Sequence, residues 1–178
     1  GAWGDAPAIH KHPKLPYRKV TPRDLWVEDS KSPYYNQHRI LPHQPKTAWE
    51  KKQQMKQNDF AHSLKLFIAH NPPPKAKPYA GSAVFFHIWR GGGSKPTAGC
   101  TTMSEENLIK LVAWLDPTKQ PVYVLLSVSE YKAKEAPGNF PENSTLSSTS
   151  PKRNSLLRLP SFFMNSLADL MASIISHR

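Results

Sequence analysis

The expected fold is a mainly β domain with short helices, and three observations of the sequence are compatible with it. Residues 63–69 and 82–89 alternate apolar side chains with period two, and residues 121–128 (PVYVLLSV) form a continuous apolar run. Prolines at 7, 13, 16, 22, 33, 42 and 45 exclude a long helix from the first part of the chain. In the central region only residues 104–115 carry a clear helical apolar stripe.

Taken in order, Thr21-Pro22-Arg23-Asp24 reads as a turn or short helix start, and Ser32-Pro33-Tyr34-Tyr35-Asn36 as a second turn. Residues 47–58 read as a short polar helix whose only large apolar residues are Trp49 and Met55, with Glu50, Lys51, Lys52 and Lys56 on a solvated face. The strand at 63–69 sets Leu64, Leu66 and Ile68 against Lys65, Phe67 and Ala69, so burial is expected mainly on one side. Asn71-Pro72-Pro73-Pro74 ends it and opens a stiff connector. In the strand at 82–89, Val84, Phe86 and Ile88 alternate against Ala83, Phe85, His87 and Trp89. His87 therefore shares a face with Trp89.

Leu108, Leu111, Val112 and Leu115 then give one apolar helix face, and Thr102 with Glu105 fits a capping box at its start. Pro117 stops that helix, and 121–128 reads as a central strand. Residues 129–155 have linker composition, including an Asn143-Ser144-Thr145 glycosylation-type triplet. Residues 156–178 carry Phe162, Phe163, Leu167, Leu170, Met171 and Ile174 at roughly helical spacing, broken by Arg158, Pro160 and Asp169. A docked amphipathic tail helix is expected there, too interrupted to span a bilayer. The expected division is a catalytic-type domain over 1–128, a Ser/Pro-rich linker over 129–155 and the tail helix over 156–178.

Charge narrows the partners. The net charge is +11, and residues 1–79 hold 14 Lys/Arg against 6 Asp/Glu, whereas 80–126 hold 4 against 3. A basic first half favours polyanions: nucleic acid, anionic lipid or a cell-wall polymer. No nucleic-acid module accompanies the basic residues, so nucleic acid is not expected as a partner. His10, His12, His38 and His43 have no zinc-type spacing and read as solvated surface histidines, and no metal or other cofactor is expected. The one cysteine excludes an internal disulfide and leaves a free thiol. With no start methionine and no signal peptide, the chain reads as part of a longer product.

That thiol, Cys100, lies thirteen residues after His87, in a Thr97-Ala98-Gly99-Cys100 corner beyond the glycines Gly91 to Gly93. A thiolate, not a thiol, is the nucleophile, and an imidazole within reach can take its proton. A glycine-rich reversal would bring Cys100 beside His87, and backbone N–H groups around Gly99 and Cys100 would form an oxyanion site. The helix start after Cys100 would add partial positive charge. The same residues also fit an inert buried thiol and a histidine bonded to a backbone carbonyl.

The run Ala80-Gly81-Ser82-Ala83-Val84-Phe85-Phe86-His87-Ile88-Trp89, followed by Thr97-Ala98-Gly99-Cys100-Thr101-Thr102-Met103, resembles the YkuD-type L,D-transpeptidase catalytic domain. The resemblance extends upstream through Trp26, Asp29, Tyr35-Asn36 and His70-Asn71 and downstream to about Leu126, roughly two-thirds of the chain. It implies a β-sandwich or open barrel with one helix after the nucleophile, and opening strands that would precede Gly1. It further implies a cysteine acyltransferase acting on peptidoglycan stem peptides in the periplasm or cell envelope, without metal or cofactor. The family's nucleophile falls on Cys100, its histidine on His87, its Ser/Thr on Thr97 and its glycine on Gly99. Many members have histidine where this chain has Ala98, and arginine where it has Thr102. The group that binds the substrate carboxylate is thereby unassigned. Arg90 and Lys95 are candidates by charge, and Trp89, Ala98 and Thr102 are expected to line the substrate. Two rivals remain: a non-catalytic cell-wall-binding module, and an L,D-carboxypeptidase or other amide hydrolase with the same Cys–His chemistry.

Overall fold

The computed structural model describes residues 1–5, 14–127, 129–130 and 171–176. It divides into two compact units, Gly1–Leu115 and Asp116–Arg178. In chain order the elements are β1 (Ala2–Gly4), β2 (Tyr17–Lys19), β3 (Asp24–Trp26), β4 (His38–Ile40), α1 (Ala48–Lys52), β5 (Leu64–Phe67), β6 (Phe85–Ile88), β7 (Thr101–Met103), α2 (Glu105–Trp114), β8 (Val122–Ser127) and β9 (Met171–Ser176). Short strands in mixed sheets with few, short helices are the mainly β class that the sequence predicts.

In the first unit five strands form one sheet in the order β2-β1-β5-β6-β7. The outer pairs β1–β2 and β6–β7 are parallel, and the inner pairs are antiparallel. Register aligns Trp3 with Lys65, Lys65 with His87 and His87 with Thr102. Cross-strand partners share a face, so these four residues form one row across the sheet. The alternate residues Leu64, Leu66, Phe86 and Ile88 are buried, and α2 packs against β6 with Leu108, Leu111 and Val112 buried. Each such side chain contributes about 1.5–3 kcal/mol on burial.

The row that carries His87 faces a second layer. Val20, Trp26, Met55 and Phe85 form a buried cluster against which Trp3, Phe67, Ala83 and Cys100 pack. Trp26 sits at its centre, 4.5 Å from the Phe67 ring and 4.9 Å from Phe85 between centroids. Its strand, β3, pairs antiparallel with β4. Lys65 is therefore buried, at 4% exposure, and its ammonium donates to the Met55 carbonyl (2.5 Å). The expectation of a one-sided strand at 63–69 is corrected: β5 is a central strand covered on both faces.

Two buried side chains hold this layer down. Asp24, fully buried, accepts from Arg18 Nε (2.5 Å), the Thr21 amide (2.9 Å) and hydroxyl (2.6 Å), and His38 Nε2 (2.8 Å). His38 is thus no solvated surface histidine but a hydrogen-bond partner of Asp24. Asn36, also fully buried, accepts from Trp26 Nε1 (2.8 Å) and the Ala83 amide (3.0 Å) and donates to the carbonyls of His70 (3.1 Å) and Asn71 (2.7 Å).

Several boundaries differ from the sequence reading for identifiable reasons. α1 is shorter than 47–58 because the chain turns inward to pair with β3: the Gln53 carbonyl accepts from the Trp26 amide and the Met55 amide donates to Asp24. Thr47 and Glu50 close a capping box at its start. α2 is capped by Ser104, whose hydroxyl accepts from the Asn107 amide (3.2 Å); Thr102 belongs to β7 and caps nothing.

In the second unit β8 pairs antiparallel with β9 in a sheet of two strands among the described residues, Val122 opposite Ser176 and Ser127 opposite Met171. Val122 and Leu125 are exposed, so β8 is not a central strand. Where the tail helix is expected, residues Met171–Ser176 form a strand. The rest of the tail, and the linker beyond Glu130 with its Asn143-Ser144-Thr145 triplet, lie outside the described residues, as do His10 and His12. Among the described residues no helix is long and apolar enough to cross a membrane.

Candidate active site

Cys100 and His87 lie on the same, Trp26-covered face of the sheet, one immediately before β7 and the other on the adjacent strand β6. His87 is 3% exposed. Its Nδ1–H donates to the Ile88 carbonyl (2.8 Å), which selects the tautomer whose Nε2 lone pair accepts a proton. The group that orients His87 is thus the backbone of the next residue. Burial pushes its pKa down, and Arg90 and Lys65 add to that shift against the pull of Asp59, so the ring is neutral at pH 7.

The Cys100 thiol is half-buried and donates to the Ala83 carbonyl (3.6 Å). Burial raises its pKa above the ordinary thiol value; an amide hydrogen bond from Phe85 and the charges of Lys65 and Arg90 act the other way. Ala83 adopts φ 54, a conformation rare for alanine, and its position follows from the Asn36 contact with its amide. The helix-start expectation is corrected. β7 intervenes, so Ser104 stands about 13 Å along the chain from Cys100 at ~3.3 Å per strand residue. A helix dipole acts only over its first turn and does not reach the thiol. No hydrogen bond joins Cys100 to His87, and both are uncharged at rest.

Thr97 shapes the corner: its hydroxyl donates to the Cys100 carbonyl (2.7 Å) and accepts from the Gly99 amide (3.3 Å). Gly99 has φ 144, and a Cβ placed there would meet nothing within 4 Å. The surface beside the thiol is therefore open. Ala98 and Lys95 are exposed, and Thr102 and Trp89 are partly buried. Thr102 stands across from His87 in the β6–β7 register, and the Trp89 amide donates to the Met103 carbonyl (2.9 Å).

Arg90 is engaged rather than free. Its guanidinium pairs with Asp59 through Nε (3.1 Å) and Nη2, and Nη2 also lies 3.2 Å from His62 Nδ1. Asp59 in turn accepts from His62 Nδ1 (2.7 Å). Burial would raise the Asp59 pKa, but Arg90 and His62 hold it at about 2.

The arrangement that carries these residues matches a known domain. The family model described as the YkuD L,D-transpeptidase catalytic domain matches residues 7–124, two-thirds of the chain. The chain belongs to that family. No curated protein and no solved structure matches it. L,D-transpeptidase domains are peptidoglycan enzymes, so the family points to the cell wall as the general setting.

Three groups of this L,D-transpeptidase domain were not legible in the sequence. Lys65 looked solvated because strand alternation alone cannot show that both faces of β5 are covered. His62 and Asp59 lie 25 and 28 residues before His87. Asp59 does carry one local signal: it caps a single helical turn by accepting from the His62 amide (3.1 Å). Among the described residues no group of three His, Cys, Asp or Glu side chains gathers as a metal site would require.

Proposed function

We propose that this domain transfers acyl groups through Cys100, acting on the L,D peptide bond of peptidoglycan stem peptides. The observation that carries the reading is a half-buried thiol before β7 and an imidazole on β6 with Nδ1 committed to Ile88 and Nε2 open. Because the thiol pKa is raised and the imidazole pKa lowered, activation is general-base catalysis rather than a standing thiolate–imidazolium pair. His87 Nε2 takes the thiol proton as sulfur attacks the carbonyl on the L side of the bond. Attack requires the thiol to leave the Ala83 carbonyl.

The oxyanion of the tetrahedral intermediate is held by the Cys100 amide and by the Gly99 amide, released from its long bond to Thr97. His87 returns the proton to the departing D-residue amine, leaving a thioester. An incoming amine then gives a cross-link or D-residue exchange, and water gives carboxypeptidase activity. Arg90, half-exposed beside Asp59, offers its remaining N–H groups to the substrate carboxylate, with Trp89, Ala98 and Thr102 lining the acyl chain and Lys95 at the rim.

The competing reading, a cell-wall-binding module without turnover, draws on the thiol's bond to Ala83 and its raised pKa. Intact-protein mass after incubation with a carbapenem separates the two. A single adduct that is absent from Cys100→Ala is the expected result. A folded wild-type protein that gains no adduct overturns acyl transfer.

A further inference from the structure

We propose that His62, fixed by Asp59 and Arg90, is a positioning residue that sets the ring plane of His87, so that the reacting imidazole works as one member of a stacked pair. This inference rests on the acyl-transfer reading above and adds a residue to it.

The two rings lie 4.6 Å apart between centroids and 25° from parallel. One hydrogen bond, to its own neighbour's carbonyl, defines the His87 tautomer but leaves the ring face to be held by packing. His62 supplies that packing from a rigid seat. Its amide and its Nδ1 both bond to Asp59 Oδ1 (3.1 and 2.7 Å), and Asp59 Oδ2 accepts from Arg90 Nε (3.1 Å) and Nη2. Arg90 stands two residues past the end of β6, so the clamp ties His62 to the segment that carries His87. A side chain only 19% exposed and bonded this fully has little freedom to leave.

The charges facing the pair come from three places: Asp59 at the start of His62's own turn, Lys65 on β5 and Arg90 after β6. Burial lowers the His62 pKa to about 4, with Lys65 assisting and Asp59 opposing. His62 is therefore a neutral ring at neutral pH. When His87 becomes imidazolium during proton transfer, it meets an aromatic face rather than a second cation, which favours the charged form.

The test uses the full chain with two substitutions that separate ring from hydrogen bond. His62→Gln keeps a donor for Asp59 and loses the ring; His62→Phe keeps the ring and loses the donor. Two readouts apply: the His87 tautomer and titration by imidazole nitrogen NMR, and the rate of Cys100 acylation by a carbapenem. Wild type is expected to hold His87 in the Nδ1–H tautomer, and His62→Gln to mix the tautomers and slow acylation about tenfold. His62→Phe is expected to restore the tautomer and most of the rate. A His62→Gln protein with unaltered His87 signals and rate overturns the positioning role while leaving acyl transfer standing. A His62→Phe protein as impaired as His62→Gln overturns the stacking account. If His87→Ala acylates as fast as wild type, the base assignment falls and this inference falls with it. If wild type is not acylated at all, acyl transfer fails and the NMR readout alone decides the stack.

Discussion

The first unit contains two clusters of the same composition, an aspartate held by an arginine and a histidine. Asp24 with Arg18 and His38 lies under β3 and β4; Asp59 with Arg90 and His62 lies beside His87. In the first, the carboxylate is fully buried, its hydrogen bonds close within the cluster and its turn, and the His38 ring stacks on Trp26 of the core. In the second, Asp59 is 32% exposed at its side chain, and the histidine ring stacks on His87. Similar chemistry thus has two settings. One cluster is packed into the core, and on the inference above the other positions His87.

Removing each carboxylate gives the largest contrast. Asp24→Ala leaves Arg18, His38 and Thr21 facing a buried gap and is expected to cost about 3 kcal/mol in urea unfolding. Asp59→Ala removes a cap and a half-exposed pair and is expected to cost about 1 kcal/mol. Acylation by a carbapenem should rank them oppositely once both are assayed below their unfolding midpoints, with Asp59→Ala the slower. Equal stability losses would mean that the second cluster is structural too.

Acid pH sharpens the comparison. His62 has a folded pKa of about 4 against 6.5 unfolded, so between those values the unfolded chain binds the extra proton. Its contribution is complete above pH 6.5 and is lost as pH falls toward 4. Asp24 and Asp59 are depressed carboxylates, and their contributions persist to lower pH, declining as pH falls from the ordinary carboxylate pKa toward their lower folded values. Stability should therefore fall in two stages on acidification. The His62 stage is expected to be roughly 1 kcal/mol after allowance for solvent screening, and His62→Phe should flatten it while leaving the Asp24 part of the lower stage in place and weakening the Asp59 part, which loses a donor.

Lys65 offers a smaller effect on the thiol itself. Burial lowers its pKa to about 8, so it is mostly cationic at neutral pH, and that charge pulls the Cys100 pKa down. Lys65→Met is expected to move the pH profile of Cys100 alkylation to higher pH by a fraction of a unit. An unmoved profile would remove Lys65 from the site's electrostatics.

What the sequence made legible follows the range of the interactions. Thr97, Gly99 and Cys100 interact over three residues, and the β6 alternation placed His87 on the correct face, so a local reading reached them. Trp26, Asp29, Asn36, His70 and Asn71 were visible only as weak matches, and their purpose is spatial. Asn36 ties β3 to the 70–83 connector, Asp29 accepts from Trp49 Nε1 (2.9 Å), and Asn71 bonds the Lys77 and Gly81 carbonyls within that connector. Lys65, Asp59 and His62 acquire their roles from strands and loops that arrive from elsewhere, as does the early end of α1. Periodicity reports which face a residue takes, and not what covers that face.

The smallest expected effect tests the loop those asparagines build. Ala83 at φ 54 pays a left-handed penalty of roughly 1 kcal/mol that glycine would not. Ala83→Gly also frees the unfolded chain by about as much, so net stability should barely change. The local consequence differs, because the Ala83 carbonyl is the acceptor that holds the Cys100 thiol. A looser carbonyl releases the thiol toward His87, and alkylation of Cys100 is expected to rise about twofold with an unchanged melting temperature. A slower reaction would mean that the strained alanine holds the thiol in a productive position, and that the bond to Ala83 is part of activation rather than a resting state to be left.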